Sequence, residues 1–327
     1  MLKIRTALLI TACAGVLLPA IDAHADVTVV TGPTNIPRGD ATRANDITVS
    51  NGIFAVAFAV DSAPPWGVAR GGIVDIAILD DGEPGYDIAS LADFMPNNWS
   101  SWPTTYQRVS VARPSSDEAI VTTVRDWGDV ALETTFRIRD GDSRIHIVTE
   151  MTNLGDEPLA ELLTGYVVWP DGGYLVDEPI VTAAGQGERG GWTAAYDEGW
   201  LVGLHAPFSD YVTRRGRDRY TQHVLQPFES RRFEAWLQIE PRGELAPMVA
   251  TEIEFGDLAA GRIEGRVLDS DGGLVAQPAV VVAQAGKTIA WTLGEAGEYS
   301  MQLPEGDYEL YATARGYARG ASKRVSV

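Results

Sequence analysis

The sequence predicts an all-β protein, a large antiparallel β-sandwich followed by a small second one. Three observations carry this. Between residues 27 and 255 apolar and polar side chains alternate in short runs, punctuated by Gly, Pro, Asn and Asp at about the 8 to 12 residue spacing of all-β folds. No long stretch has the 3.6-residue period of an amphipathic helix. After Gly261 the texture changes to several strand-like runs and turns in fewer than 70 residues.

The chain opens with Lys3 and Arg5, an apolar run from Ala7 to Leu18, and Ala23-His24-Ala25, the three-part layout of a secretory signal peptide (residues 1–25) cut after Ala25. The expected location is therefore secreted or periplasmic. Residues 10–13 also fit a lipoprotein cleavage box, but a cut there would leave the apolar residues up to Leu18 on the mature chain. Cys13 is the sole cysteine, so the mature chain has no thiol for a disulfide or a metal site. Removing 25 residues leaves 302, a length at which chains tend to split into domains. The expected division is 27–258 and 261–327. The formal charge of -19 repels nucleic acid and anionic membrane surfaces. No apolar run after Leu18 approaches the ~20 residues of a membrane span, so no membrane insertion is expected.

The clearest element is the hairpin at 132–153: Thr134, Phe136 and Ile138 alternate with Thr135, Arg137 and Arg139, Asp140-Gly141 supplies the turn, and Ile145 and Ile147 lead the return strand. Residues 52–60, 72–79 and 231–240 read as further strands, the first so apolar that it should lie between two packed sheets. Residues 61–72 and 93–107 are rich in Pro, Gly and Asn and gather Trp66, Trp99, Trp102 and Tyr106, as binding loops do. A loop-like block at 203–223 holds His205, Tyr211, Arg214, Arg215, Arg217, Arg219, Tyr220 and His223, a basic island in an acidic chain.

The C-terminal segment resembles the carboxypeptidase regulatory-like module, a transthyretin-like β-sandwich, through Gly265-Arg266-Val267, Asp271-Gly272-Gly273, Ala279-Val280-Val281, Gly297-Glu298-Tyr299, 303–308 and Gly316-Tyr317. Tyr299, Tyr308 and Tyr317 should pack their rings inward with hydroxyls at the edge. The resemblance implies a folding support or spacer. Residues 27–255 resemble the galactose mutarotase-like supersandwich through a strand ending in Thr152-Asn153, the turn 154–158, and a strand reaching Gly165 and Pro170. The two-part layout also looks like the front of secreted PHP-type metallohydrolases, whose catalytic domain follows.

Mutarotation needs a general acid and a general base, which the resemblance would supply as His and Glu. Where the family has His-Pro, this chain has Trp169-Pro170. A Trp there offers a flat face to a pyranose, and Asp171 accepts hydroxyl hydrogen bonds. The expectation is thus a non-catalytic carbohydrate-binding protein using Trp169, Asp171, Trp99, Trp102 and Arg217. One alternative is an epimerase or polysaccharide lyase with His205 and Glu234 as proton-transfer groups and Arg217 holding a carboxylate; another is a structural accessory. His205 and His223 lack a third ligand at fixed spacing, the twelfth position of the Asp269 turn is Val280 rather than Glu, and no G-x-S-x-G, H-E-x-x-H, P-loop or Rossmann pattern occurs. Neither a metal nor a cofactor is expected.

Overall fold

The computed structural model describes residues 5–7, 26–65, 70–95, 108–126, 128, 130–176, 191–213 and 218–327. The chain divides into two compact units, Ala23–Glu178 with Gly191–Pro241, and Arg242–Val327 with Met1–Asp22 and Pro179–Gly190. Both are built of antiparallel β-sheet.

Strand β1 (Arg5–Ala7) belongs to the second unit; the first contains β2 (Thr28–Thr31), β3 (Ile47–Ser50), β4 (Phe54–Phe58), β5 (Ile73–Asp80), β6 (Glu83–Pro84), β7 (Ala89–Met95), β8 (Arg108–Ser115), β9 (Glu118–Asp126) and β10 (Val130–Arg139). It continues with β11 (Arg144–Asn153), β12 (Leu159–Pro170), β13 (Tyr174–Leu175), β14 (Trp192–Asp197), β15 (Trp200–His205), β16 (Tyr211–Thr213), β17 (Asp218–Leu225) and β18 (Ser230–Glu240). They form an eight-stranded sheet ordered β13-β14-β15-β18-β11-β10-β9-β8, a four-stranded sheet β16-β17-β12-β7 and a five-stranded sheet β2 to β6 in chain order.

Period-two alternation sets the layers. Leu132, Phe136 and Ile138 of β10, Ile145, Ile147 and Met151 of β11, and Phe233, Leu237 and Ile239 of β18 are buried in one core with Phe54 and Phe58 of β4 and Phe94 and Tyr166 of the four-stranded sheet. Phe58 meets Phe136 edge-on at 5.2 Å, and Phe94 meets Phe233 at 4.6 Å. Both smaller sheets therefore pack on the large one. Where sequence reading put β4 between two sheets, its second face, Ala55, Ala57 and Ala59, packs instead against Ile36 and Ala41 of the loop before β3. A loop covers that face because buried Asp46 holds it in place: its carboxylate accepts the amides of Arg43, Val60, Asp61 and Ser62.

A polar seam crosses the apolar core. Thr134 Oγ1 lies 2.9 Å from Thr149 Oγ1, which lies 2.5 Å from the Tyr166 hydroxyl, joining the eight-stranded sheet to the four-stranded one. The turn from β11 to β12 is pinned by buried Asn153, whose Nδ2 donates to Glu157 O at 2.8 Å and Gln226 O at 3.1 Å while Oδ1 accepts from Gly155 N. In β12, a Cβ on Gly165 would stand 1.9 Å from Arg219 O, so only glycine permits the close approach of β17 there. At the far edge of the large sheet, β8 ends in Arg113-Pro114, its register with β9 shifts between Ala112 and Ser115, and Arg113 turns to donate to Val27 O at 2.6 Å.

The second unit holds helix α1 (Ala246–Gly256), β19 (Ala260–Leu268), β20 (Ala279–Gln284), β21 (Lys287–Leu293), β22 (Glu298–Pro304), β23 (Asp307–Thr313) and β24 (Lys323–Ser326). Its sheets are β1-β19-β22 and β21-β20-β23-β24. The compact units part between Pro241 and Arg242, ahead of the 258–261 boundary read from composition. Physical ties explain this: Trp291 Nε1 donates to Gly243 O at 2.8 Å, and Glu244 accepts Thr292 Oγ1 and Leu293 N at 2.6 and 2.8 Å. α1 escaped sequence reading because its buried side includes Thr251 and Glu252 beside Met248, Val249 and Ile253, which blurs the apolar period. Tyr308 is buried with its hydroxyl on Pro304 O, whereas the Tyr299 hydroxyl is buried rather than held at the edge.

Tyr166→Phe removes the link between sheets without opening a cavity. It should lower the unfolding free energy by about 1 kcal/mol, read as a lower urea midpoint with unchanged slope; an unchanged midpoint would show that the seam contributes nothing net.

Candidate functional site

The positions of β10, β11, β18, β15 and β14 that face away from the core fall into transverse rows. One row is Arg137, His146, Trp236, His205 and Trp192, each the direct cross-strand partner of the next. At the usual strand spacing it runs about 19 Å. The row is open at one end and closed at the other: the Arg137 and His146 side chains are 37% and 30% exposed, Trp236 is half-buried, and His205 and Trp192 are 1% and 0% exposed. Trp236 thus stands where the covered half begins.

On the open half the His146 and Trp236 rings stack, centroids 5.2 Å apart and planes 18° from parallel. His146 Nε2 lies 2.5 Å from Glu234 Oε1, to which Arg232 Nη2 also donates at 3.4 Å. On the covered half a directed chain of hydrogen bonds runs along the next row. Gln238 Nε2 donates to Glu240 Oε1 at 2.6 Å, and Ser143 Oγ donates to the same oxygen at 2.8 Å. The Gln238 oxygen therefore faces His205 Nε2 at 2.9 Å, and that ring nitrogen carries the proton. Gly203 and Ala194, opposite Gln238 and next in line, leave room for its side chain to lie across the sheet.

Three further cations of this face are paired. Arg137 Nη1 and Arg139 Nε reach Glu118 Oε1 at 2.8 and 3.0 Å, and Arg144 Nε reaches Asp142 Oδ1 at 3.5 Å. Burial opposes ionisation of Glu118, but the bonds from Arg139 and Arg137 outweigh it and hold the carboxyl below its ordinary range.

Of the residues proposed from sequence, His205 and Glu234 share this face. They sit diagonally across β15 and β18, an arrangement that sets Cβ atoms about 7 to 8 Å apart, and each has its own partner rather than the other. Trp169 and Asp171 lie elsewhere. Trp169, opposite Ser90 near the end of β12, packs on Ala92, Val167 and Tyr220 on the outer face of the four-stranded sheet. Asp171 follows that strand, its amide on Ile88 O. Trp99, Trp102 and Arg217 lie outside the described residues, as do Trp66, Tyr106, Arg214 and Arg215. Arg219 is no solvated loop cation: it is buried on β17 and donates to Trp192 O. His223 is on the core side of β17, 2.7 Å from Thr164 Oγ1, with His205 on another sheet. Among the described residues no group of three or more His, Cys, Asp or Glu is placed to hold a metal ion. Trp236, Gln238 and Glu240 were not among the sequence candidates, although alternation along 232–240 marks 232, 234, 236, 238 and 240 as one face; His146 was expected only as a strand residue.

Asp171 also belongs to a carboxylate corner. Burial pushes Asp87 up to about 7, aided by Asp75 and Asp171 and opposed by the Ile76 amide that Asp87 accepts. Burial likewise lifts Asp75 to about 6 against the amides of Asp40 and Ala41, and burial with Asp171 raises Asp40. Folded-state values above the unfolded ones mean that the native chain holds extra protons between about pH 4 and pH 7, so this contribution to stability is complete in acid and is lost as pH rises through that window. His223, lowered to about 4 by burial and Arg231, acts oppositely, losing stability as pH falls from about 6.5 to about 4.

No protein-family model matches the chain, and no curated protein matches it. Solved structures give distant likenesses. The galactosidase domain of an alpha-galactosidase–sucrose kinase is 10% identical over 66% of this chain and 42% of that one, TM-score 0.33. The GH36 alpha-galactosidase AgaB from Geobacillus stearothermophilus is 10% identical over 66% and 41%, TM-score 0.37. A mutant of heparan sulfate lyase HepC from Pedobacter heparinus is 10% identical over 86% and 39%, TM-score 0.38. This chain spans less than half the length of those three proteins. Similarity at this level assigns neither family nor substrate.

Two variants test the electrostatics and the network. Asp87→Asn should reduce the drop in unfolding free energy expected of the parent between about pH 5 and pH 8; parallel stability curves would refute a raised Asp87 pKa. Gln238→Leu removes the acceptor of the His205 proton and one of the two donors to Glu240 Oε1, and should cost about 1 to 3 kcal/mol in denaturant unfolding.

Proposed function

We propose that the first unit binds carbohydrate without transforming it, on the open half of the outward row. The observation that carries this is the stacked Trp236–His146 pair, half-exposed on a rigid sheet and flanked by a carboxylate with a spare oxygen. The C–H-rich face of a pyranose packs on such aromatic surface, and its hydroxyls need acceptors in fixed positions. Only Oε1 of Glu234 takes the bonds from His146 and Arg232, so Oε2 is available to a hydroxyl. Because Arg137, Arg139, Arg144 and Arg232 each face a carboxylate, the surface favours a neutral sugar.

The same geometry favours holding over turnover. Proton transfer requires an acid or base within hydrogen-bond reach of the reacting group. His205 is buried, and its Nε2 proton is given to Gln238. The N-terminal signal pattern supports placing this activity outside the cytoplasm.

Titration with neutral oligosaccharides should quench tryptophan emission with unaltered product. Trp236→Ala should weaken binding about tenfold, near 1.4 kcal/mol, and Trp169→Phe should leave it unchanged. Equal affinity of Trp236→Ala and parent overturns the site; release or epimerisation of the sugar overturns the non-catalytic reading.

A further inference from the structure

The second unit carries a feature that the sugar site does not use. Residues 313–327 contain Arg315, Arg319, Lys323 and Arg324 and no Asp or Glu, while the other 312 residues carry a formal charge of -23. The fold concentrates these cations. The loop after β23 is drawn back by Gly320 N on Ala312 O at 2.8 Å and by Tyr317 N on Ala314 O at 3.1 Å, and β24 then pairs with β23 from Lys323 onward. Arg315, Arg319 and Arg324 are exposed. The Arg319 guanidinium lies 3.6 Å from the centre of the Tyr311 ring, which holds its planar face outward without spending its donors. Tyr311 sits in a cross-strand row with Val281 and Trp291, all half-buried on the sheet's outer face. Two carboxylates neighbour the segment: Glu309, 3.8 Å from an Arg324 side chain that is 90% exposed, a weak tie, and Asp307, which accepts from Ser326 Oγ at 2.5 Å.

We infer that this loop and sheet face bind a uronic-acid polysaccharide. Guanidinium groups pair bidentately with carboxylates, and Arg319, stacked on Tyr311, is held ready for such a pair. Charge density selects the polymer. Nucleic acid carries a charge every ~1.7 Å along its axis, and anionic bilayers present a continuous negative plane; both present far more charge than a few arginines neutralise. A uronate chain carries one charge per sugar, a density that the three exposed arginines can match; Lys323, opposite buried Leu310, lies on the other side of the sheet. This site is separate from Trp236 and does not depend on it.

The test is titration of the purified protein with galacturonan oligomers, neutral galactan, single-stranded DNA and vesicles rich in anionic lipid, at low and at physiological ionic strength. Galacturonan should bind, weaken with salt, and lose about tenfold or more in affinity in Arg315→Gln/Arg319→Gln/Arg324→Gln. Arg319→Lys, which keeps the charge, should still weaken binding about threefold. Trp236→Ala should leave galacturonan affinity unchanged, so failure of the neutral-sugar site and of this one are told apart. The inference falls if galacturonan does not bind, if the triple variant binds as the parent does, or if DNA or vesicles bind the same residues as tightly. Near-ultraviolet circular dichroism of the variants confirms an unaltered fold.

Discussion

The register of β11 between β10 and β18 is the constraint on which the first unit depends. In these strands every second residue faces the core, so a slip of β11 by one position would bury Arg144, His146 and Glu150 and expose Ile145, Ile147 and Met151. The cost of that exchange runs to many buried apolar side chains, each worth about 1.5 to 3 kcal/mol. Register is therefore fixed by the core, and the outward rows inherit their alignment from it. The aromatic stack is ordered by residues it never touches.

The two faces of these strands use polar groups differently. Inside, Thr134, Thr149 and Tyr166 satisfy one another where water is absent, which favours one sheet-to-sheet alignment over others of similar apolar content. Outside, the groups grade from solvated ion pairs at Arg137 to the closed chain of His205, Gln238 and Glu240. A glutamine suits the middle of that chain because one amide both accepts and donates.

The fold was legible in sequence wherever alternation was clean. Residues 130–153 and 230–240 announce their strands, and the Asn153 turn announces its bend, because one side chain type per face suffices to specify them. Two things were not legible. The loop lining β4 depends on buried Asp46 collecting amides from two separated segments, which no local pattern records. α1 buries polar residues on its inner side, so its period is faint. The site was half legible: His205 and Glu234 were picked as chemistry-bearing, but their shared face became visible only when Trp236 was known to pair with both His146 and His205. Cross-strand neighbours far apart in sequence come from topology, and Trp169, which motif likeness favoured, lies on another sheet.

The eight-stranded sheet ends on β8, a strand whose last turn of pairing is broken by a register shift, occupied by Pro114 and overhung by Arg113. Pro114 has no amide to offer a newcomer, and the charged neighbour must be desolvated before another strand can dock. A sheet this wide and flat-faced would otherwise be a template for its own extension. Growth into fibrils is thus opposed at this rim.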